Sequence, residues 1–339
     1  VAGLNLRIWG NLQSLVDGED TSNMNVTVSS TGKMDLYAGG WGVTGGAYSF
    51  DTVDILNGGY LYLTGYDNGN TCNSTDDPGC YDDYGITLQT NTLTVQSGGH
   101  ISADGKGYAG GKGPGAGTNQ GGPSAWGKGP SHGGYGHGTT GNASVYGDVY
   151  EPVIMGSGSG TSYGSSSGGG SIKIESDTLT LDGRISADGG ITSTPWNTGA
   201  TGGSIWIDVT TINSSGSGVI SADGKYCTQW SMGTAGAGRI AIYYQTDNWG
   251  IPDEIGDGIH AYGGNYDDFK SGPGTIYIEE TDVHSPHAGN LYVDNNNVNG
   301  KTSSLLAGNY SFNQIRITRY GHLVIYGEAE AIDSDPLRA

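Results

Sequence analysis

Three aspartates share one sequence context. Asp104, Asp188 and Asp223 each take the fourth place of Ile-Ser-Ala-Asp-Gly, at Ile101–Gly105, Ile185–Gly189 and Ile220–Gly224. Carboxylates repeated at matched positions suggest two chemistries: a row of calcium ligands, or paired acids for glycoside cleavage. Against both stands the ordinary use of Asp-Gly as a turn, in which the carboxylate accepts backbone N–H groups. A degenerate fourth copy, Ile-His-Ala-Tyr-Gly at Ile259–Gly263, carries Tyr262 in place of the acid. A structural corner tolerates that exchange better than a metal or catalytic site does. Turn chemistry is therefore the expectation, with calcium at Asp104, Asp188 and Asp223 as the weaker candidate.

Other residues with chemical potential are more scattered. Asp294–Gly300 loosely resembles an oxygen-rich calcium loop but lacks the following acid. The pairs Asp76/Asp77, Asp82/Asp83 and Asp267/Asp268 suit cation contacts or solvated loops. His132 and His137 lie five residues apart without an evident third ligand. No strand-to-helix Gly-x-Ser-x-Gly elbow and no Walker lysine is present. Trp126, Trp196 and Trp230, with Tyr226, fall in loops and could stack on sugar rings or form assembly contacts. Cys72 and Cys80 bracket a turn-rich loop and are expected to form a disulfide, while Cys227 has no evident partner. Such a bridge implies a location outside the cytosol. Sequons at Asn25, Asn73, Asn142, Asn213 and Asn309 permit glycan attachment without requiring it.

The elements that must position these residues are legible as a repeat. A Gly-led Ile-x-Ile recurs at Ser171-Ile172-Lys173-Ile174, Ser204-Ile205-Trp206-Ile207, Arg239-Ile240-Ala241-Ile242 and Thr275-Ile276-Tyr277-Ile278. Its leading Ile returns after 33, 35 and 36 residues. That period signals units that cannot bury an apolar face alone and make a continuous core by stacking. Alternation turns both Ile of each unit inward and Lys173, Trp206, Ala241 and Tyr277 outward. Ala103, Ala187, Ala222 and Ala261 then form a tighter inward row. The architecture implied is all-β, a parallel β-helix (β-solenoid) with long Gly-rich loop excursions and almost no helix. The longest excursion is 106–170. The Ile-Ser-Ala half leads to Ile-x-Ile in 20 residues in the second and third units but in 71 here, so about 50 are inserted. Three segments follow: 1–92 with the cysteine loop, 93–280 with the Ile ladder, and 281–339. The last echoes the first, since Gly46–Ile55 reappears as Gly308–Ile317 after 262 residues.

Composition agrees with a narrow core. Among 339 residues there are 65 Gly and 22 Tyr but only three Phe, too little bulk for a thick interior. The net charge of −20 opposes nucleic acid and anionic lipid as partners. No apolar run reaches the length of a membrane span.

The phrase Ile-Ser-Ala-x-Gly followed by Gly-Gly-Ser-Ile-x-Ile, over about residues 93–280, resembles the Gly-rich parallel β-helix repeats of secreted and cell-surface proteins. It resembles less closely the β-helices of polysaccharide lyases and adhesins. The resemblance implies fold and an extracellular or cell-surface location more than activity. Lyases use clustered basic residues, whereas Lys173, Arg184 and Arg239 are scattered. The expectation leans away from an enzyme. It is a structural or adhesive solenoid in a filament, sheath or surface layer. Its partners would be copies of itself head to tail, or the remainder of a larger surface protein. The alternative is a polysaccharide-binding or polysaccharide-degrading β-helix using 106–170 as a cleft wall. A groove lined by acids and aromatics favours the alternative, and a smooth rod favours the structural role.

Overall fold

The computed structural model describes residues 4–8, 11–13, 22–38, 46–67, 85–119, 127–161, 165–191, 198–226, 233–251, 255–281 and 287–326. These residues are all-β, without an α-helix. Cys72, Cys80, Cys227, Asn73, Trp126, Trp196 and Trp230 lie outside them, as do Asp76, Asp77, Asp82 and Asp83.

Two sheets hold most of the strands. The long sheet orders ten: Leu4–Ile8, Met24–Val28, Ala47–Ile55, Ile86–Val95, Ser171–Leu181, Ser204–Asn213, Arg239–Asn248, Thr275–Glu280, Asn290–Asp294 and Gln314–Thr318. The short sheet orders seven, from Asn11–Gln13 through Lys33–Tyr37, Tyr60–Thr64, His100–Ser102, Arg184–Ser186 and Val219–Ser221 to Ile259–His260. Between Leu4 and Glu280 the chain visits the two sheets alternately, and within each sheet these neighbours pair in parallel.

The Ile positions fall in register, as their spacing requires. Ile86, Ile172, Ile205, Ile240 and Ile276 are successive partners, as are Leu88, Ile174, Ile207, Ile242 and Ile278. Ile101, Ile185, Ile220 and Ile259 face them from the short sheet. All are buried, with the Ala row closing the corner. Each buried Ile contributes roughly 1.5–3 kcal/mol relative to an exposed one.

Glycine sets how closely the repeats approach. Gly170, Gly203, Gly238 and Gly274 donate their N–H groups to the carbonyls of Ala103, Ala187, Ala222 and Ala261 at 2.7–2.9 Å. A Cβ on Gly203 would sit 1.9 Å from the Gly170 oxygen, so no side chain fits there. The same closure joins Ala103 to Gly170 across the long excursion, which therefore leaves and returns without shifting the frame.

The described part of the excursion has little regular structure, three two-residue strands, but it is packed. Tyr108, His132, Tyr146, Val149 and Met155 are buried. The His132 ring stacks on Tyr146 at 4.3 Å, and its Nδ1 donates to the Gly202 carbonyl at 2.8 Å. Burial, then the charge of Arg239, pushes this imidazole down to about 3. Arg239, itself 1% exposed, donates to Tyr146 O, Thr275 Oγ1 and Ser304 O and so ties the excursion to the ladder.

One expectation needs correction. Ala241 and Tyr277 point away from the main core yet are fully buried, in a second cluster with Val149, Tyr150, Leu291 and Leu305. The outward face is free only where neither the excursion nor the C-terminal segment covers it. The C-terminal segment reverses direction. Asn290–Asp294 pairs antiparallel with Thr275–Glu280, and Gln314–Thr318 then pairs parallel with Asn290–Asp294. Parallel neighbours need a crossover of about a dozen residues or more. Only nine separate Glu280 from Asn290, so the chain turns back beside the strand it has left. The strand–turn–strand echo persists, but Leu323–Ile325 pairs with Ser303–Leu305 in a separate two-stranded sheet.

Candidate functional site

The aspartate row lies at the turn that follows the short sheet. Asp104 Oδ1 accepts the Asp188 N–H at 2.7 Å, Asp188 Oδ1 that of Asp223 at 2.8 Å, and Asp223 Oδ1 that of Tyr262 at 2.8 Å. Each carboxylate thus fastens its repeat to the next. The remaining contacts also come from the protein. Ser186 Oγ donates to Asp104, Arg184 and Lys225 bind Asp188 Oδ2 at 2.8 and 2.9 Å, and His260 Nδ1 lies 2.9 Å from Asp223. Burial pushes Asp188 up, but Lys225, Arg184 and the Asp223 amide outweigh it and hold the carboxyl below the usual range. Asp104 is raised by its packing and by the Asp188 charge.

Calcium would have to displace these donors. Among the described residues no group of three or more His, Cys, Asp or Glu is placed to hold a metal. His132 and His137 serve different elements, the latter accepting the Lys270 N–H at 3.0 Å. Asp294 is engaged by Thr318 and Arg319, and the Asn295 amide by backbone groups. Of the sequons, Asn309 is exposed and Asn142 half-buried. Asn25 and Asn213 accept hydrogen bonds from Thr52 and Asn248.

A second arrangement occupies the outward face of the long sheet. Ser49, Gln89, Glu175, Asp208, Tyr243 and Glu279 form one row in register across six strands. Neighbours in such a row stand about 4.8 Å apart at the backbone. Ser49 Oγ donates to Gln89 Oε1 and Gln89 Nε2 to Glu175 Oε2, both at 2.7 Å. Lys173 bonds Glu175 at 2.6 Å and holds it low, helped by Gln89. Asp208, directly beside Glu175, is pushed up by partial burial and then by the Glu175 charge.

The row floors a groove. A trough of about 500 Å³ runs along Ser49, Gln89, Asn91, Glu175, Asp208 and Gln245. At Asp208 it meets a smaller pocket of about 280 Å³ lined by Glu151, Trp206, Tyr243, Glu279 and His287. Glu151, which belongs to the 106–170 excursion, stands at one side of this pocket. Asp208 aside, the pocket is fixed by aromatic packing. Tyr150 meets Tyr277 edge-on at 4.9 Å, Tyr243 donates to the Tyr150 carbonyl at 2.8 Å, and Asp148 Oδ1 accepts the Tyr150 and Glu151 N–H groups. Burial raises the hydroxyls of Tyr243 and Tyr277, which stay protonated as donors.

Trp206 is the aromatic that sequence reasoning passed over. It is the variable residue of an Ile-x-Ile, so its outward aim was legible, but sugar-stacking rings were sought in loops instead. No protein-family model, curated protein or solved structure matches this chain.

Proposed function

We propose that the chain is a secreted or cell-surface parallel β-helix that holds a glycan chain in the groove across its long sheet. One observation carries the reading: acids, amides and aromatics converge in a walled groove rather than on a smooth face. Hydroxyl-rich polymers are recognised by such a mixture, carboxylates and amides bonding hydroxyls while aromatic rings cover apolar ring faces. The alternation of the chain between two parallel sheets, the stacked Ile rows and the glycine closures support the β-helix. The reading is of binding rather than cleavage. Glu175 is already clamped by Lys173 and Gln89, which suits a fixed hydrogen-bond acceptor better than a nucleophile. Retention of the purified chain on a panel of immobilised polysaccharides tests the proposal. Loss of retention in Asp208→Asn and Trp206→Ala is expected, and equal retention by these variants sinks it.

A second reading, assembly with a further copy, has its own observation. Ile315 and Ile317 are 41% and 48% exposed, although their partners Leu291 and Val293 are buried. Among the described residues Gln314–Thr318 is the end strand of the long sheet, and an end strand with apolar side chains is a template for another chain. Sedimentation of the wild type against Ile317→Lys tests it, since only association through this strand is weakened by the change.

A further inference from the structure

The small pocket contains a carboxylate that no described cation pairs. Glu279 is 4% exposed and lines the pocket, yet it forms no ion pair among the described residues. Its hydrogen bond comes from the Tyr277 hydroxyl at 2.7 Å, which in turn accepts the Gly289 N–H at 2.8 Å. A buried charge is costly unless an opposite charge meets it. Glu151 and Asp208 add negative charge to the same space, and among the described residues no lysine or arginine lines it. The other walls are the rings of Trp206, Tyr243 and His287. Aromatic faces with carboxylates behind them are the surroundings that an organic ammonium group prefers. The protein already makes this contact once, since the Lys173 ammonium lies 3.8 Å from the centre of the Trp206 ring. Among the described residues the buried Trp206 indole N–H has no partner, so a hydrogen-bond donor also stands unused here.

We propose that this pocket receives an ammonium group, and that the glycan held by the groove therefore carries free amino sugars. The second half rests on the glycan reading above, and the first does not. Three carboxylates in so small a space disfavour uronates and sulfated sugars. An N-acetylated sugar has no positive charge to place against Glu279. The trough beyond Asp208 then takes the neighbouring sugar units through Glu175, Gln89 and Asn91.

Calorimetric titration of the whole chain separates the two halves. The probes are glucosamine oligomers, their fully N-acetylated counterparts, and tetramethylammonium. Free-amine oligomers should bind tighter than acetylated ones by on the order of tenfold, and Glu279→Gln should erase the difference. Trp206→Leu, at the rim of the pocket, is the second variant should Glu279→Gln melt early. Equal affinity for the two oligomers overturns the ammonium pocket while leaving the glycan groove standing. Binding of tetramethylammonium that depends on Glu279, with neither oligomer bound, upholds the pocket and overturns the amino-sugar assignment. Failure of all three probes overturns both.

Discussion

Lys173 bridges Glu175 and Trp206, its ammonium 2.6 Å from the carboxylate and 3.8 Å from the ring centre. One cation thus settles the charge of the trough and the orientation of the ring at its edge. Lys173 is the largest influence holding Glu175 low. In Lys173→Met, Glu175 should titrate closer to the ordinary carboxylate range, read by carbon-detected NMR. The half-exposed contact contributes little to the fold, so stability should fall by only about 0.5–1 kcal/mol. An unmoved Glu175 titration would contradict the arrangement.

Ile205 and Trp206 are adjacent and face opposite ways. Ile205 is fully buried in the stacked row, while Trp206 is half-buried at the groove. Ile205→Asp should cost several kcal/mol, on the order of other unpaired buried charges. Trp206→Asp should cost far less of the fold while damaging the groove. Equal losses of melting temperature would mean that the two faces are wrongly assigned.

What the sequence disclosed follows from what is local. Ile172, Ile205, Ile240 and Ile276 could be aligned because alternation and a near-constant period both act on neighbouring residues. That Asp104, Asp188 and Asp223 bond backbone was legible from the Tyr262 exchange, but not that the amide each one accepts belongs to the next repeat. The burial of Ala241 and Tyr277 was not, because Val149, Tyr150, Leu291 and Leu305 reach them from distant parts of the chain. Nor was the reversal after Glu280, since Ile315-Arg316-Ile317 with its turn is the same local phrase in either strand direction. The groove across the long sheet was not legible. Its floor required knowing which outward positions stay uncovered.

Gly203 and Gly216 separate two uses of glycine. A methyl on Gly203 would meet the Gly170 oxygen at 1.9 Å, whereas nothing lies within 4 Å of one on Gly216, whose φ is +93°. Gly203→Ala should therefore force adjacent repeats apart and cost about 3 kcal/mol or more. Gly216→Ala carries only backbone strain, about 1 kcal/mol. Urea denaturation of the two variants compares them directly, and a reversed order would refute the glycine closure.

Asp104 and Asp188 are consecutive members of one row with opposite titration shifts, and pH should expose the difference. Asp188 is held low by Lys225 and Arg184 against its burial. Its stabilisation is fully present above the unfolded value of about 3.9, and it disappears as pH falls through the lower folded value. Asp188→Asn keeps an oxygen for the Asp223 N–H but leaves Lys225 and Arg184 without their carboxylate. Because both cations reach water, with side chains 22% and 34% exposed, the loss at neutral pH should be near the low end for broken buried pairs, about 2–3 kcal/mol. Asp104 has the reverse sign. Its folded value lies above the unfolded one, so the folded state holds more protons between the two values and stability declines as pH rises through that window. Asp104→Asn should therefore be neutral or mildly stabilising at pH 7, an advantage absent below about pH 3.9. Thermal melts of wild type and both variants from acid to neutral pH check the pair. Parallel curves for the two variants would show that the row is not electrostatically polarised as its contacts require.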